Sequence, residues 1–161
     1  MPKKLKIVIA ALLIMTCLVA VIHISQQENI ACMVIKTGEI EIAVDFADLN
    51  KTEFSGELIN GKGDVSFHSY TGVLLRDLLK EKGVAVSEVS VVSVTSADNY
   101  RATFKPEEIL EEDRVYAAII ADGETVEGID AGTAGVQIIV FGDSNSKRCV
   151  RYATVIDVAH K

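Results

Sequence analysis

The chain has 161 residues, enough for one ordinary domain and too few for two. Apolar residues make up 49% and charged residues 24%, which excludes wholesale disorder and permits a packed core. Net charge is −7, and beyond residue 24 there are 13 basic against 23 acidic residues, a balance that excludes a footprint for duplex phosphate and with it nucleic-acid binding.

Residues 1–24 form the first segment. Lys3, Lys4 and Lys6 precede an apolar run from Ile7 to Ile22, which holds no charge. Basic residues before an apolar run mark the flank that stays cytoplasmic. The run is short for a spanning helix, but Leu5, His23 and Ile24 extend it while Lys6 snorkels. Ile22-His23-Ile24-Ser25 lacks the small residues of a cleavage site, so the preferred reading is an uncleaved signal anchor, a single-pass transmembrane helix. A cleaved signal and a buried core helix are the alternatives. In the first two cases the rest of the chain lies on the extracytoplasmic side of the cell membrane, or is secreted after cleavage.

Residues 25–32 read as a polar linker and 33–161 as one domain. Met33 to Ile35 and Ile40 to Val44 predict short strands around Gly38, and Asp48-Leu49-Asn50 a turn. From Glu53 apolar and polar residues alternate, Gly61-Lys62-Gly63-Asp64 is a turn signal, and Val65 and Phe67 continue beyond it, so a hairpin is expected. The spacing of Val73, Leu74, Leu75, Leu78 and Leu79 predicts a helix that starts after Thr71 and stops at Gly83. Tyr70 is expected to end the preceding strand and cover the helix start, with Gly72 at the junction. Val89 to Val94 and Asn99 to Phe104 predict a second hairpin. Pro106-Glu107-Glu108 opens a short helical turn, with Pro at N1 and acids at the positive end. Val115 to Ala121, Val136 to Phe141 and Val150 to Val158 predict strands, with a Gly-rich loop over Glu124 to Gly135. The sum is an α+β domain with a mixed β-sheet and few helices.

The chain carries no G-x-S-x-G, P-loop or H-E-x-x-H motif. His68 is the one histidine inside the domain body that invites a binding role. Asp98 falls between two expected strands, where an Asx turn is its simplest use. Glu107-Glu108 and Glu111-Glu112 read as a solvated helix face. Lys147, Arg148 and Arg151 put three cations within five residues of an acidic body. The cysteines are too dispersed for a disulfide framework or a zinc knuckle. In an oxidising space Cys32 and Cys149 could pair, though two separate thiols is the preferred reading.

Four segments in order resemble the oxidoreductase molybdopterin-binding domain, the sulfite-oxidase-like fold. Tyr70-Thr71-Gly72-Val73-Leu74-Leu75-Arg76-Asp77-Leu78-Leu79 is similar to that family's aromatic-x-Gly-Val helix entry. Ser96-Ala97-Asp98-Asn99-Tyr100 resembles its Ser-Ala-Asp-Gly-Tyr turn, with Asn99 in place of Gly; both tolerate positive φ. Val115 to Ala118 with Asp122-Gly123-Glu124 resembles a strand and turn of the family. Val136 to Gly142, then Val150-Arg151-Tyr152 and Ile156-Asp157-Val158, resembles its closing strands. The resemblance covers about residues 53 to 158 and implies a molybdopterin-binding site made by Asp98, Tyr100, Lys147, Arg148, Arg151 and His68, with Arg151 at a basic position of the family.

Two departures bear on function. The family's metal-ligating cysteine is missing from Ser55 to Phe67, and Gly135-Val136-Gln137 stands where a Pro-x-Arg is expected. The resulting expectation is a membrane-anchored, extracytoplasmic, non-catalytic binding module for a small anionic ligand or a partner protein. Its pocket is expected beneath the Asp98–Tyr100 turn and the Gly132–Gly135 loop. The alternatives are a molybdopterin-dependent oxidoreductase and an accessory subunit of a membrane redox complex.

Overall fold

Alternation in the sequence becomes two five-stranded sheets. A computed structural model of the chain describes residues 31–161; the expected anchor over 1–24 and the linker up to residue 30 lie outside the described residues. Among the described residues no helix is long and apolar enough to cross a membrane.

The first sheet runs β2 (Ile40–Asp45), β1 (Cys32–Thr37), β10 (Ala153–His160), β5 (Val89–Ser96) and β6 (Arg101–Phe104). It is mixed: β10 lies parallel to β1 and antiparallel to β5. The second runs β3 (Thr52–Ile59), β4 (Val65–Leu74), β7 (Val115–Ala121) and β8 (Glu124–Thr125), with β9 (Gln137–Val140) also on β7. The helices are short, α1 over Leu75–Glu81 and α2 over Pro106–Leu110. The expected α+β class with a mixed sheet and few helices describes this arrangement.

Successive residues of a strand face opposite ways, so the second sheet serves two clusters. Val115, Ala117, Ile138 and Val140 join the main core, together with Ile35 and Ile156 of the first sheet and Leu75, Leu78 and Leu79 of α1. Tyr70, Tyr116, Ala118 and Ile139 lie on the opposite face, with Phe54, Leu58 and Phe141 packed against them. There Phe54 stacks on Tyr116 with centroids 3.9 Å apart and on Tyr70 at 5.4 Å, and Phe141 meets Phe54 and Tyr116 edge-on. Gly56 leaves room for that ring: a Cβ there would stand 2.7 Å from Phe141.

Three boundaries differ from expectation. The helix starts at Leu75, because β4 runs on to Leu74 and pairs with β7 after a bulge between Thr71 and Gly72. Val73 and Leu74 are therefore strand residues, Gly72 sits inside the ladder opposite Ala118, and Tyr70 stacks in the aromatic cluster away from the helix start. The last strand starts at Ala153: Val150 makes only an isolated bridge to Ile138, and Tyr152 takes a positive φ of 52° that breaks the strand. The loop after Ala121 includes a two-residue strand, β8, formed by the tight Asp122-Gly123 turn.

Candidate functional site

A cleft of about 430 Å³ opens where the β3–β4 hairpin faces the β5–β6 turn and the chain segment leading into β10. One wall is Leu58 and Asn60 of the hairpin with Ser66 and His68 of β4; the other is Asp98, Tyr100, Ser146, Cys149, Arg151 and Tyr152, and Gln137 also lines it. Of the six expected site residues, His68, Asp98, Tyr100 and Arg151 line this one cleft. The Gly132–Gly135 loop does not line it.

The Asp98–Tyr100 turn forms as expected. Asn99 takes φ 67°, the left-handed conformation that Asn shares with Gly. Asp98 Oδ1 accepts from the Ser96 hydroxyl and from the Tyr100 amide, and these bonds hold the Asp98 carboxyl below its ordinary pKa. Tyr100 donates its phenol to the Lys147 carbonyl, and the Ala97 amide donates to the Tyr152 carbonyl at 2.9 Å. The two lips on that side of the cleft are thus tied together.

The three cations separate. Arg148 is a structural residue: Nε and Nη2 grip Asp143 at 2.7 and 2.6 Å, Nη1 reaches Glu108 at 2.7 Å, and the guanidinium lies 5.4 Å over the Phe104 ring. Each of its three nitrogens is engaged with a carboxylate, and it does not line the cleft. Glu108 is correspondingly half-buried between Arg148 and Arg114, so it is not part of a solvated face. Lys147 lies on the exposed surface outside the cleft lining, and its backbone, not its ammonium, serves the site. Arg151 lines the cleft, and among the described residues its side chain makes no hydrogen bond or ion pair. Cys149 and Arg151 both line the cleft, and Tyr152 next to Arg151 takes a positive φ.

Opposite Arg151, His68 Nδ1 is 2.7 Å from Asp122 Oδ2, and its Nε2 is 2.9 Å from Ser66 Oγ. Asp122 Oδ1 also accepts from the Ser69 amide at 2.9 Å, while its own amide donates to the Ser69 carbonyl at 2.7 Å. The His68 bond and the Ser69 amide keep the Asp122 carboxyl below its ordinary pKa. Tyr70, stacked beside this group, has a phenol pushed up to about 12, chiefly by burial. The role of Asp122 was hidden in sequence by its Asp-Gly turn. The signal that could have found Ser66 is its spacing of two from His68, which puts both on one face of a strand.

The donor set does not fit a molybdenum centre. Cys149 is the one thiol lining the cleft; burial raises its pKa, and its Sγ accepts from the Val140 amide at 3.4 Å. A metal-ligating cysteine must lose its proton, which calls for an electropositive and partly open setting. Among the described residues no three His, Cys, Asp or Glu side chains are grouped to hold a metal. Cys32 and Cys149 are free thiols in this structure, Cys32 exposed and Cys149 half-buried.

No family model and no curated protein matches the chain. Among solved structures, the sulfane dehydrogenase SoxCD from Paracoccus pantotrophus is similar, with a TM-score of 0.65 and 18% sequence identity. The match covers 81% of this chain and 38% of that one, so the present chain spans well under half of its structural neighbour. The likeness is one of fold, and it supports the distant sulfite-oxidase-like fold to which the sequence motifs point.

Proposed function

We propose that this chain is a small-anion-binding module on a sulfite-oxidase-like frame, held at the extracytoplasmic face of the cell membrane by its N-terminal segment. The supporting observation is Arg151. It is the one Arg or Lys side chain lining the cleft, it is unpaired among the described residues, and it stands in a domain whose acidic residues outnumber its Lys and Arg residues. The groove on the other face of the β3–β4–β7 ladder, about 370 Å³, has no cation in its lining. A guanidinium free to make charge-assisted bonds suits a carboxylate, sulfate or phosphate. Such a bond contributes about 1.5–3 kcal/mol, so Arg151→Ala should weaken binding at least about tenfold. The test is calorimetric titration of the full chain and of Arg151→Ala with phosphate, sulfate and a pterin phosphate. Equal affinities, or no binding by the parent chain at millimolar ligand, would overturn the reading and favour a partner-protein surface.

A second reading, an oxidoreductase or an accessory subunit of a redox complex, draws support from the fold shared with a sulfane dehydrogenase. Elemental analysis and near-ultraviolet and visible absorption of the native protein separate it from the first: bound metal or a chromophore would favour it.

A further inference from the structure

We infer that Ser66, His68 and Asp122 form a nucleophile, general base and positioning acid, and that the cleft supports acyl transfer from small esters or thioesters that carry an anionic group. The inference goes beyond the anion-binding reading and rests on it only for the charge of the substrate.

The carboxylate sets the tautomer that serves this chemistry. Asp122 is ionised at neutral pH, because the bonds it accepts lower its pKa below the ordinary carboxylate value. A carboxylate can only accept, so the Nδ1 of His68, 2.7 Å away, carries the proton. When the ring carries only that proton, Nε2 is a lone-pair acceptor, and its partner at 2.9 Å, the Ser66 hydroxyl, donates. A hydroxyl bonded to an imidazole that is oriented by a carboxylate is the arrangement that activates serine.

Local structure makes the arrangement rigid where it matters. Ser66 and His68 lie on one face of β4, paired with Leu58 and Gly56 of β3. Asp122 is fixed by two bonds to the Ser69 backbone and by the tight turn between β7 and β8. Ser66 and His68 both line the cleft, while Asp122 does not, so the carboxylate acts through the ring. Across the same cleft, Gln137 and Arg151 have side-chain donors that are unpartnered among the described residues. Arg151 would take the anionic group of the substrate. The His68 and Asp122 side chains are 33% and 54% exposed, so water reaches the relay and hydrolysis is the natural end of the reaction.

The steps balance without an oxidant or reductant. Ser66 Oγ attacks the acyl carbon while its proton passes to His68 Nε2. The carbon–oxygen or carbon–sulfur bond then breaks, and the alcohol or thiol leaves with that proton. Water attacks the acyl-serine, giving a proton to Nε2; the Ser66 oxygen leaves and takes the proton back, and a carboxylic acid is released.

The test uses the full chain with an uncharged alkyl fluorophosphonate, followed by intact mass and peptide mapping. One adduct, on Ser66, is expected, and none on Ser66→Ala. Asp122→Asn keeps the Oδ1 acceptor for Ser69 but loses the carboxylate that fixes the tautomer, so labelling should slow at least about tenfold. Hydrolysis of p-nitrophenyl acetate should fall in parallel. Adducts elsewhere, no adduct, or an unchanged rate in Ser66→Ala would overturn the inference. The probe carries no charge, so its failure leaves anion binding by Arg151 standing, and a failed anion titration leaves Ser66 labelling unaffected.

Discussion

Alanine at Gly72 would place a Cβ 2.1 Å from the Ala117 carbonyl oxygen and 2.7 Å from the Ala118 Cα. Non-bonded heavy atoms ordinarily keep about 3.5 Å or more between them. Both neighbours belong to the β7 backbone, and Gly72 pairs with Ala118 directly after the β4 bulge. No side chain can rotate out of the way, so β4 and β7 must part and lose ladder bonds. Ordinary overpacking costs about 1–3 kcal/mol, and an unyielding neighbour puts Gly72→Ala at the top of that range, about 3 kcal/mol. For a domain of roughly 130 residues, 3 kcal/mol lowers Tm by about 10 °C. Thermal melts followed by circular dichroism measure it, with Gly61→Ala as the control. A methyl group at Gly61 would meet nothing within 4 Å, so alanine there should change stability by less than about 0.5 kcal/mol. Equal melting temperatures for the two variants would refute the close approach of the two strands.

Arg148→Ala should cost about 2 kcal/mol in urea denaturation, below the value for a fully buried pair because the side chain is 30% exposed and Arg114 stays near both carboxylates. The same variant should leave phosphate and sulfate affinity unchanged, and a loss of affinity with intact stability would return Arg148 to the binding site. Burial works against the Glu108 carboxylate, but the Lys105 amide and the Arg148 and Arg114 guanidiniums outweigh it and lower its pKa below the ordinary 4.5. A depressed folded-state pKa stabilises the fold above 4.5 and loses that contribution as pH falls through the folded value. Acid denaturation of Glu108→Gln should therefore show a shallower loss of stability below 4.5 than the parent chain; parallel curves would refute the linkage.

The parts of the fold legible in sequence are those fixed by neighbours along the chain. Alternation from Glu53 and the Gly61–Asp64 turn specify β3 and β4, and Asn99 supplies the positive φ its turn needs. What was not legible depends on cross-strand register. Gly72 is a strand residue because of what β7 places against it, which no local pattern contains. Arg148 and Arg151 look alike as charges three residues apart. One is captured by nearby Asp143 and by Glu108 from a distant segment; the other lines the cleft beside Tyr152 with its positive φ. His68 stood out alone, whereas Ser66 and Asp122 gained meaning only once β4 and the β7–β8 turn were side by side.

The parallel pairing of β1 with β10 has a consequence for the order of events in synthesis. β10 is the central strand of the first sheet and the last of its strands to leave the ribosome, with β1–β2 on one side and β5–β6 on the other. Until residues 153–160 arrive, the sheet exists as two separate hairpins with open edges, and the inner faces of Ile35 and Val94 have no completed wall to pack against. Closure spans nearly the whole domain, a non-local pairing of the kind that slows folding. Until then the unfinished edges are templates for pairing between chains.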